Sequence, residues 1–109
     1  MPVNFVTPVH LSLINSATFT GNYDVACTGL EEACFLLRII NDSNRDVLVS
    51  YDGNANHDYL VAGNTLEINA QANSSPNGDV ALFRKGQKIY VKAAAGTGYV
   101  YIAAYFSRQ

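Results

Sequence analysis

The sequence has no tryptophan and few charged residues: Asp, Glu, Lys and Arg make up 15% of its 109 residues, where soluble domains average about 25%. The seven Lys and Arg residues form no run, and the formal net charge is −2. Proteins that bind nucleic acids use clustered positive charge to neutralise phosphates. The small and scattered positive charge therefore disfavours nucleic acid as a partner.

Long apolar runs are also missing. The longest candidates are interrupted by Arg38, by Asp46 or by the Ala- and Gly-rich residues before Tyr99, and none approaches the roughly 18 residues that a membrane-spanning helix needs. Residues 1–4 include no basic residue, and the stretch after them is broken by polar residues and Pro8, unlike a secretion signal. We expect no membrane association, and synthesis and use in a cytoplasm-like setting.

Cysteine is scarce as well, because the sequence has only Cys27 and Cys34. Their spacing of seven residues matches neither a zinc-binding knuckle nor a redox CxxC motif. Nothing in the sequence places a His beside either thiol to activate it as a nucleophile. We predict two reduced, buried thiols; a single disulfide between them is the alternative.

What the sequence does contain favours strands and turns. Hydrophobic residues make up 49% of the chain, and there are eleven Asn, eight Gly and seven Tyr. Asn and Gly are typical of turns, whereas Tyr is typical of strands. A length of 109 residues is close to the commonest domain size. We therefore predict one all-β domain that covers residues 1–109.

Alternating apolar and polar residues separated by turn signals predict the individual strands. The most informative stretch, residues 35–53, has two β-prone runs joined by a polar turn at residues 41–45, which is typical of an antiparallel hairpin. Residues 65–70 have the cleanest period of two, and residues 99–106 make the last strand. About eight strands at spacings of roughly ten residues predict an antiparallel β-sandwich; a jelly roll is one arrangement of it, which periodicity does not decide.

Three other segments are less regular. Thr28 and Glu31 have the spacing of a helix capping box, so a short helix ahead of Phe35 competes with extended structure. One long or bulged strand is expected for residues 11–20. Residues 71–79 are the longest polar loop, followed by a short strand at residues 80–83.

Residues 52–58 (DGNANHD) superficially resemble a calcium-binding loop. An EF-hand loop needs Gly at its sixth position and Glu at its twelfth, where this chain has His57 and Gly63. His57 and Asp58 are neighbours in an extended segment, so their side chains point to opposite faces and cannot act as a catalytic pair. We interpret this segment as a turn, and we predict no catalytic residue, metal site or cofactor in the chain.

The strongest candidate for a functional surface is aromatic. Tyr99, Tyr101 and Tyr105 lie on one face of the last strand, opposite the apolar face that suits the core. If residues 87–92 pair with that strand as a terminal hairpin, Tyr90 joins them in a band of four phenols. Tyrosines are enriched at interfaces because they combine a large apolar area with a hydroxyl. Ordinary cross-strand packing, an assembly interface and a platform for sugar stacking all fit this band.

A family resemblance rests on two parts of the chain. Residues 37–53 (LRIINDSNRDVLVSYDG), with 57–59 (HDY) and 62–63 (AG), resemble small virion-associated β-sandwich proteins of tailed bacteriophages. Residues 85–92 (KGQKIYVK) and 95–101 (AGTGYVY) resemble the terminal strands of the same family. The resemblance covers roughly residues 12–106 and implies a structural role without an enzymatic one. It assigns no functional residue.

From the resemblance we expect a virion structural protein, in first place a capsid decoration or cement protein that bridges subunits of the major capsid protein. Its expected partners are the major capsid protein or another virion protein, and further copies of itself. Its expected location is the virion, assembled in the cytoplasm of the host bacterium. A tail, collar or fibre-attachment component is the alternative within this class. The alternative from another class is a carbohydrate-binding module for host surface glycans.

Overall fold

A computed structural model describes residues 5–70 and 82–108 of the protein. These residues form nine strands and one short 3-10 helix. Segments rich in Val, Ile and Tyr form the strands, since branched and aromatic side chains fit a pleated surface. The strands are β1 (Phe5–Pro8), β2 (Ser12–Asn15), β3 (Tyr23–Cys27), β4 (Leu36–Ser43), β5 (Val47–Ser50), β6 (Asp58–Leu60), β7 (Thr65–Asn69), β8 (Ile89–Lys92) and β9 (Gly98–Arg108); the 3-10 helix is Ser16–Thr18.

The described strands form two antiparallel sheets. The five-stranded sheet has the order β1-β9-β4-β7, with β2 also on β9, and the four-stranded sheet has the order β3-β8-β5-β6. When β1 and β2 are counted as one strand, the pairs are nested: the first strand pairs with β9, β3 with β8, β4 with β7, and β5 with β6. This nesting is the strand order of a jelly roll. The predicted antiparallel β-sandwich is confirmed.

The core lies between the two sheets and consists of the inward-facing residue of each alternating pair. The five-stranded sheet contributes Leu37, Ile39 and Ile102, and the four-stranded sheet contributes Val49 and Val91, all at most 1% exposed. Fully burying one such side chain stabilises a fold by about 1.5–3 kcal/mol. Because the sequence alternates, the same strands leave a second set of side chains on each outer surface.

A β-bulge separates β1 from β2. Pro8 lies opposite Tyr105 and Ser12 opposite Ile102, so the edge strand takes four steps while β9 takes three. The backbone N–H of Val9 still donates to the carbonyl of Ala104 at 2.9 Å, which places the extra residue just after Val9. An extra residue reverses which side chains face outward.

The predicted hairpin at residues 35–53 is wrong. β4 pairs with β7 on one side and with β9 on the other, so it has no free edge for β5. β5 lies in the opposite sheet between β6 and β8. The turn is therefore a corner that carries the chain from one sheet to the other. The predicted terminal hairpin is wrong for the same reason, because β8 and β9 lie in different sheets.

Of the two alternatives for the residues ahead of Phe35, the structure has the one without a helix: residues 28–33 contain bends, and Cys34 forms a single bridge with Phe83. The expected long strand at residues 11–20 ends at Asn15, where the Asn15 side chain accepts a hydrogen bond from the N–H of Ala17 at 3.0 Å and caps the 3-10 helix. The expected loop at residues 71–79 and the start of the strand after it lie outside the described residues.

Candidate functional site

Tyr99, Tyr101 and Tyr105 share the outer face of the five-stranded sheet. Their neighbours Val100, Ile102 and Ala104 are buried in the core. β9 lies between the β1/β2 edge and β4, so the three phenols occupy the middle of the sheet instead of its border. The predicted sharing of one face by these three tyrosines is confirmed by the register.

Apolar side chains from neighbouring strands extend this surface. Leu13 of β2 and Ile40 of β4 lie directly opposite Tyr101 on its two sides, and residues that are directly opposite in an antiparallel pair share a face. Leu36 of β4 lies opposite Tyr105 in the same way. Leu13 is 53% exposed. We call this surface, made of Leu13, Leu36, Ile40, Tyr99, Tyr101 and Tyr105, the tyrosine face.

Polar residues lie at the border of the tyrosine face, and one lies within it. Tyr99 lies between Asn15 and Asp42 at one end. Arg38 lies within the face, between Leu36 and Ile40 on β4, and Glu67 lies opposite it on β7, with Nε and Oε1 4.0 Å apart. Tyr and Arg are both enriched at protein–protein interfaces. The Tyr99 and Tyr101 rings are 6.0 Å apart between centroids and tilted by 34°, so together they do not make one flat stacking platform.

Tyr90 does not belong to this surface, and the expected band of four phenols is wrong at this residue. It lies on the outer face of the four-stranded sheet, opposite Val25 and Ser50. The loop after β5 folds over it, because a β-carbon on Gly53 would lie 3.2 Å from Cζ of the Tyr90 ring. The same loop keeps Ser50 fully buried although it faces outward.

The segment that resembled a calcium loop is a tight turn held by Asp52. Its Oδ1 accepts hydrogen bonds from the N–H groups of Asn54 (2.8 Å) and Ala55 (3.0 Å) and from the Ser50 hydroxyl (3.0 Å). These hydrogen bonds, led by the one from Ala55, lower the pKa of Asp52 to about 2. Asp52 acts here as a turn residue, as we interpreted it.

His57 and Asp58 do not face each other, as predicted. The Nδ1 atom of His57 accepts the N–H of Tyr51 at 3.0 Å, and its Nε2 lies 4.0 Å from Oδ2 of Asp52. Asp58 instead accepts the Tyr51 hydroxyl proton at 2.7 Å. Burial, and then the Asp58 carboxylate, raise the pKa of Tyr51 well above its ordinary value. The polar groups of this loop therefore bind one another.

Cys27 and Cys34 are free and buried, which confirms the prediction of two reduced thiols. The Cys34 thiol donates to the carbonyl of Glu32 at 3.2 Å. Burial, and then the Glu32 carboxylate, raise the pKa of Cys34 to about 11. Cys34 is thus a protonated core residue at neutral pH.

Residues 5–70 and 82–108 contain neither a cluster of metal ligands nor a membrane-spanning helix. No three His, Cys, Asp or Glu side chains of this described part converge as metal ligands. None of its helices has the length and hydrophobicity needed to cross a bilayer.

Sequence reasoning found the three tyrosines of β9 and missed Leu13, Leu36 and Ile40. Alternation assigns Leu13 and Ile40 to the faces of their own strands. It does not say which strands lie beside β9. Finding these neighbours would have required knowing the sheet order, since the paired residues are 61 to 88 residues apart along the chain.

Comparison with known proteins found no matching family model, no matching curated protein and no matching solved structure.

Proposed function

We propose that this protein is a non-enzymatic structural component of a tailed-bacteriophage virion, and specifically a capsid decoration protein that bridges subunits of the major capsid protein. The observation that carries the proposal is the tyrosine face. It presents Leu13, Tyr101 and Ile40 in one row across three adjacent strands. Monomeric proteins rarely leave a large contiguous apolar surface uncovered without a partner for it.

The chemistry of the tyrosine face suits protein assembly. Association that lasts needs roughly 800 Å² buried on each partner, and removal of apolar surface from water drives such association. Binding energy usually concentrates in a few central aromatic residues with a polar rim that excludes water. Tyr101 and Arg38 lie inside the face, and Asn15, Asp42 and Glu67 are at its border.

The fold and the sequence resemblance point the same way by analogy. Jelly rolls are frequent in viral capsid proteins and in lectins, although a fold by itself does not specify a function. Residues 37–53 and 85–101 resemble small virion proteins of tailed phages. Under this proposal the partners are the major capsid protein or another virion protein, with further copies of the chain in the particle. A tail, collar or fibre-attachment role is the near alternative.

Quantitative mass spectrometry of purified particles of the encoding phage tests the proposal. A decoration protein is present in many copies, comparable in number with the major capsid protein. A neck or tail component is present in few copies, which would replace the decoration role by the near alternative. Absence of the protein from purified particles would contradict the proposal altogether.

Rebinding of the purified protein to particles that lack it tests whether the tyrosine face is the binding surface. Leu13→Asp and Tyr101→Asp place a charge at the centre of the tyrosine face and should weaken binding by about tenfold or more. Val25→Asp is the matched control, because Val25 is 43% exposed on the outer face of the other sheet. Equal loss in all three variants would contradict the assignment of the tyrosine face.

Binding of the isolated protein to a glycan array distinguishes the carbohydrate-binding alternative from the decoration role. That alternative predicts that the isolated protein binds a glycan and that Tyr101→Ala abolishes the signal. The decoration role predicts no glycan binding by the isolated protein.

A further inference from the structure

A cleft of about 310 Å³ opens between the two sheets where the edge strands β2 and β3 meet the loop after β3. Sites for small molecules are commonly about 300–1,000 Å³, and this cleft is at the lower end of that range. This volume suits one long side chain and is too small for a helix or strand. The cleft is separate from the tyrosine face, because its lining residues face inward or lie on the rim between the sheets.

Two β-bulges build this cleft. The edge strand of the five-stranded sheet carries the bulge after Val9 described above. In the four-stranded sheet, Val25 lies opposite Tyr90 and Cys27 opposite Ile89, so β3 also has one residue more than its partner. Bulges at sheet edges redirect side chains and bend the strand that carries them, and they are frequent beside binding sites.

The floor of the cleft is apolar and its rim is polar. Val9, Leu30 and Ile102 line it together with Cys27. Ser12, Thr28 and Glu31 contribute hydroxyl and carboxylate groups around this floor. An occupant that satisfies both regions needs an apolar body and a polar end.

Glu31 determines the charge of that polar end. Its Oε1 accepts the backbone N–H of His10 at 2.8 Å, which fixes the carboxylate across the mouth of the cleft. Among the described residues, no Lys, Arg or His side chain forms an ion pair with Glu31. The carboxylate therefore attracts a cation from outside the chain, and it repels an anion.

We propose that the cleft takes an arginine side chain of the partner virion protein. This inference rests on the proposed function, whose partner it describes further. The aliphatic stem would lie on Val9, Leu30 and Ile102, as amphipathic side chains commonly do. The guanidinium would donate to the Glu31 carboxylate and to hydroxyls of the rim. Arginine suits several separated acceptors better than lysine does, because it has five N–H donors in a planar fork.

The first test uses the isolated protein and small probes, followed by backbone amide NMR. Butylguanidinium carries both stem and charge, butylurea carries the same stem and shape without the charge, and guanidinium carries the charge alone. We expect saturable shifts at residues 9–12 and 28–31 with butylguanidinium, and at least tenfold weaker binding of the other two. Equal binding of butylurea, or shifts located elsewhere, would overturn the proposal.

Glu31→Gln is the decisive variant, because its amide oxygen still accepts the His10 N–H while the charge is gone. It should bind butylguanidinium about tenfold more weakly. Asp46→Asn is the matched control, since Asp46 is an exposed carboxylate that also accepts a backbone N–H, that of Ala62 at 2.9 Å, and does not line the cleft. An unchanged affinity in Glu31→Gln would overturn the proposal.

Rebinding to particles separates this inference from the proposed function. Glu31→Gln should rebind at least tenfold more weakly than the wild type. If the wild type is present in particles but Glu31→Gln rebinds equally well, the proposed function stands and the arginine site is overturned. If the protein self-associates with increasing concentration and Glu31→Gln abolishes this association, the cleft binds a second copy of the chain. That result would also overturn the arginine site of a partner virion protein. Absence of the wild type from particles refutes the proposed function, even where the NMR titration shows a guanidinium site.

Discussion

The side chain of Asn41 in the five-stranded sheet donates a hydrogen bond to the carbonyl of Leu60 in the four-stranded sheet at 3.1 Å. The same side-chain amide also donates a hydrogen bond to the carbonyl of Arg45 at 2.8 Å, and the Asn41 Oδ1 accepts one from the Ser43 hydroxyl at 2.6 Å. Asn41 is 1% exposed and faces the core at the end of β4. It therefore links the two sheets at the corner where the chain crosses between them.

Replacing Asn41 should destabilise the protein strongly. Asn41→Ala removes the amide donor from the Leu60 carbonyl and leaves the Arg45 carbonyl only the Ser43 hydroxyl at 3.2 Å. We expect a loss of about 2–4 kcal/mol in the free energy of unfolding. Asn41→Asp keeps the shape but turns an acceptor toward both carbonyls, so it should cost at least as much. Urea denaturation followed by circular dichroism measures both. Asn54→Ala, an exposed Asn in the turn after β5, should change stability by less than about 0.5 kcal/mol.

Gly98 should tolerate no side chain. Its φ of +95° lies in the left-handed region, and a β-carbon there would lie 2.9 Å from Cα of Ser43 on β4. We expect Gly98→Ala to lower the free energy of unfolding by about 3 kcal/mol or more, since both strain and overlap act. Gly21→Ala is the control, because Gly21 has a φ of +85° and no neighbour within 4 Å. Gly21→Ala should lower the free energy of unfolding by only about 1–2 kcal/mol. Equal losses in Gly98→Ala and Gly21→Ala would mean that crowding at Gly98 is unimportant.

Acid should weaken the turn after β5 through Asp52. The hydrogen bonds it accepts hold its folded pKa at about 2, below the ordinary 3.8. A lowered folded pKa gives a stabilisation that is complete above the ordinary pKa and is lost as the pH falls from 3.8 to about 2. Thermal unfolding from pH 7 to pH 2 should show a shallower acid decline in Asp52→Asn than in the wild type. Parallel profiles would argue against this role for Asp52.

Both thiols should be unreactive in the folded protein. Cys34 is fully buried with a pKa raised to about 11, and Cys27 is 4% exposed. Because the thiolate is the reactive form, we expect negligible labelling by a disulfide reagent such as DTNB at pH 8. In denaturing urea, two thiols per chain should react. Rapid labelling of the native protein, or fewer than two thiols after unfolding, would contradict the reduced and buried state.

Strand positions and their faces were largely predictable. The strands predicted at residues 65–70, 87–92 and 99–106 are β7, β8 and β9, with the alternate residues inward as expected. The three tyrosines of β9 were found in this way. Their neighbours Leu13 and Ile40 were not, since alternation describes one strand at a time.

The sequence of this protein by itself determined which side chains of β5, β7, β8 and β9 face the core, because burial of a period-two apolar pattern is a local property where no bulge interrupts it. It also placed the corner between β4 and β5 correctly as a polar turn. Only the tertiary structure decided that this turn joins two sheets instead of two paired strands. A hairpin and a corner bury the same alternate residues, so their difference is in backbone hydrogen bonds to β7, β8 and β9, far along the chain. Those distant bonds separate Tyr90 from the other three tyrosines and bring Leu13 and Ile40 to Tyr101.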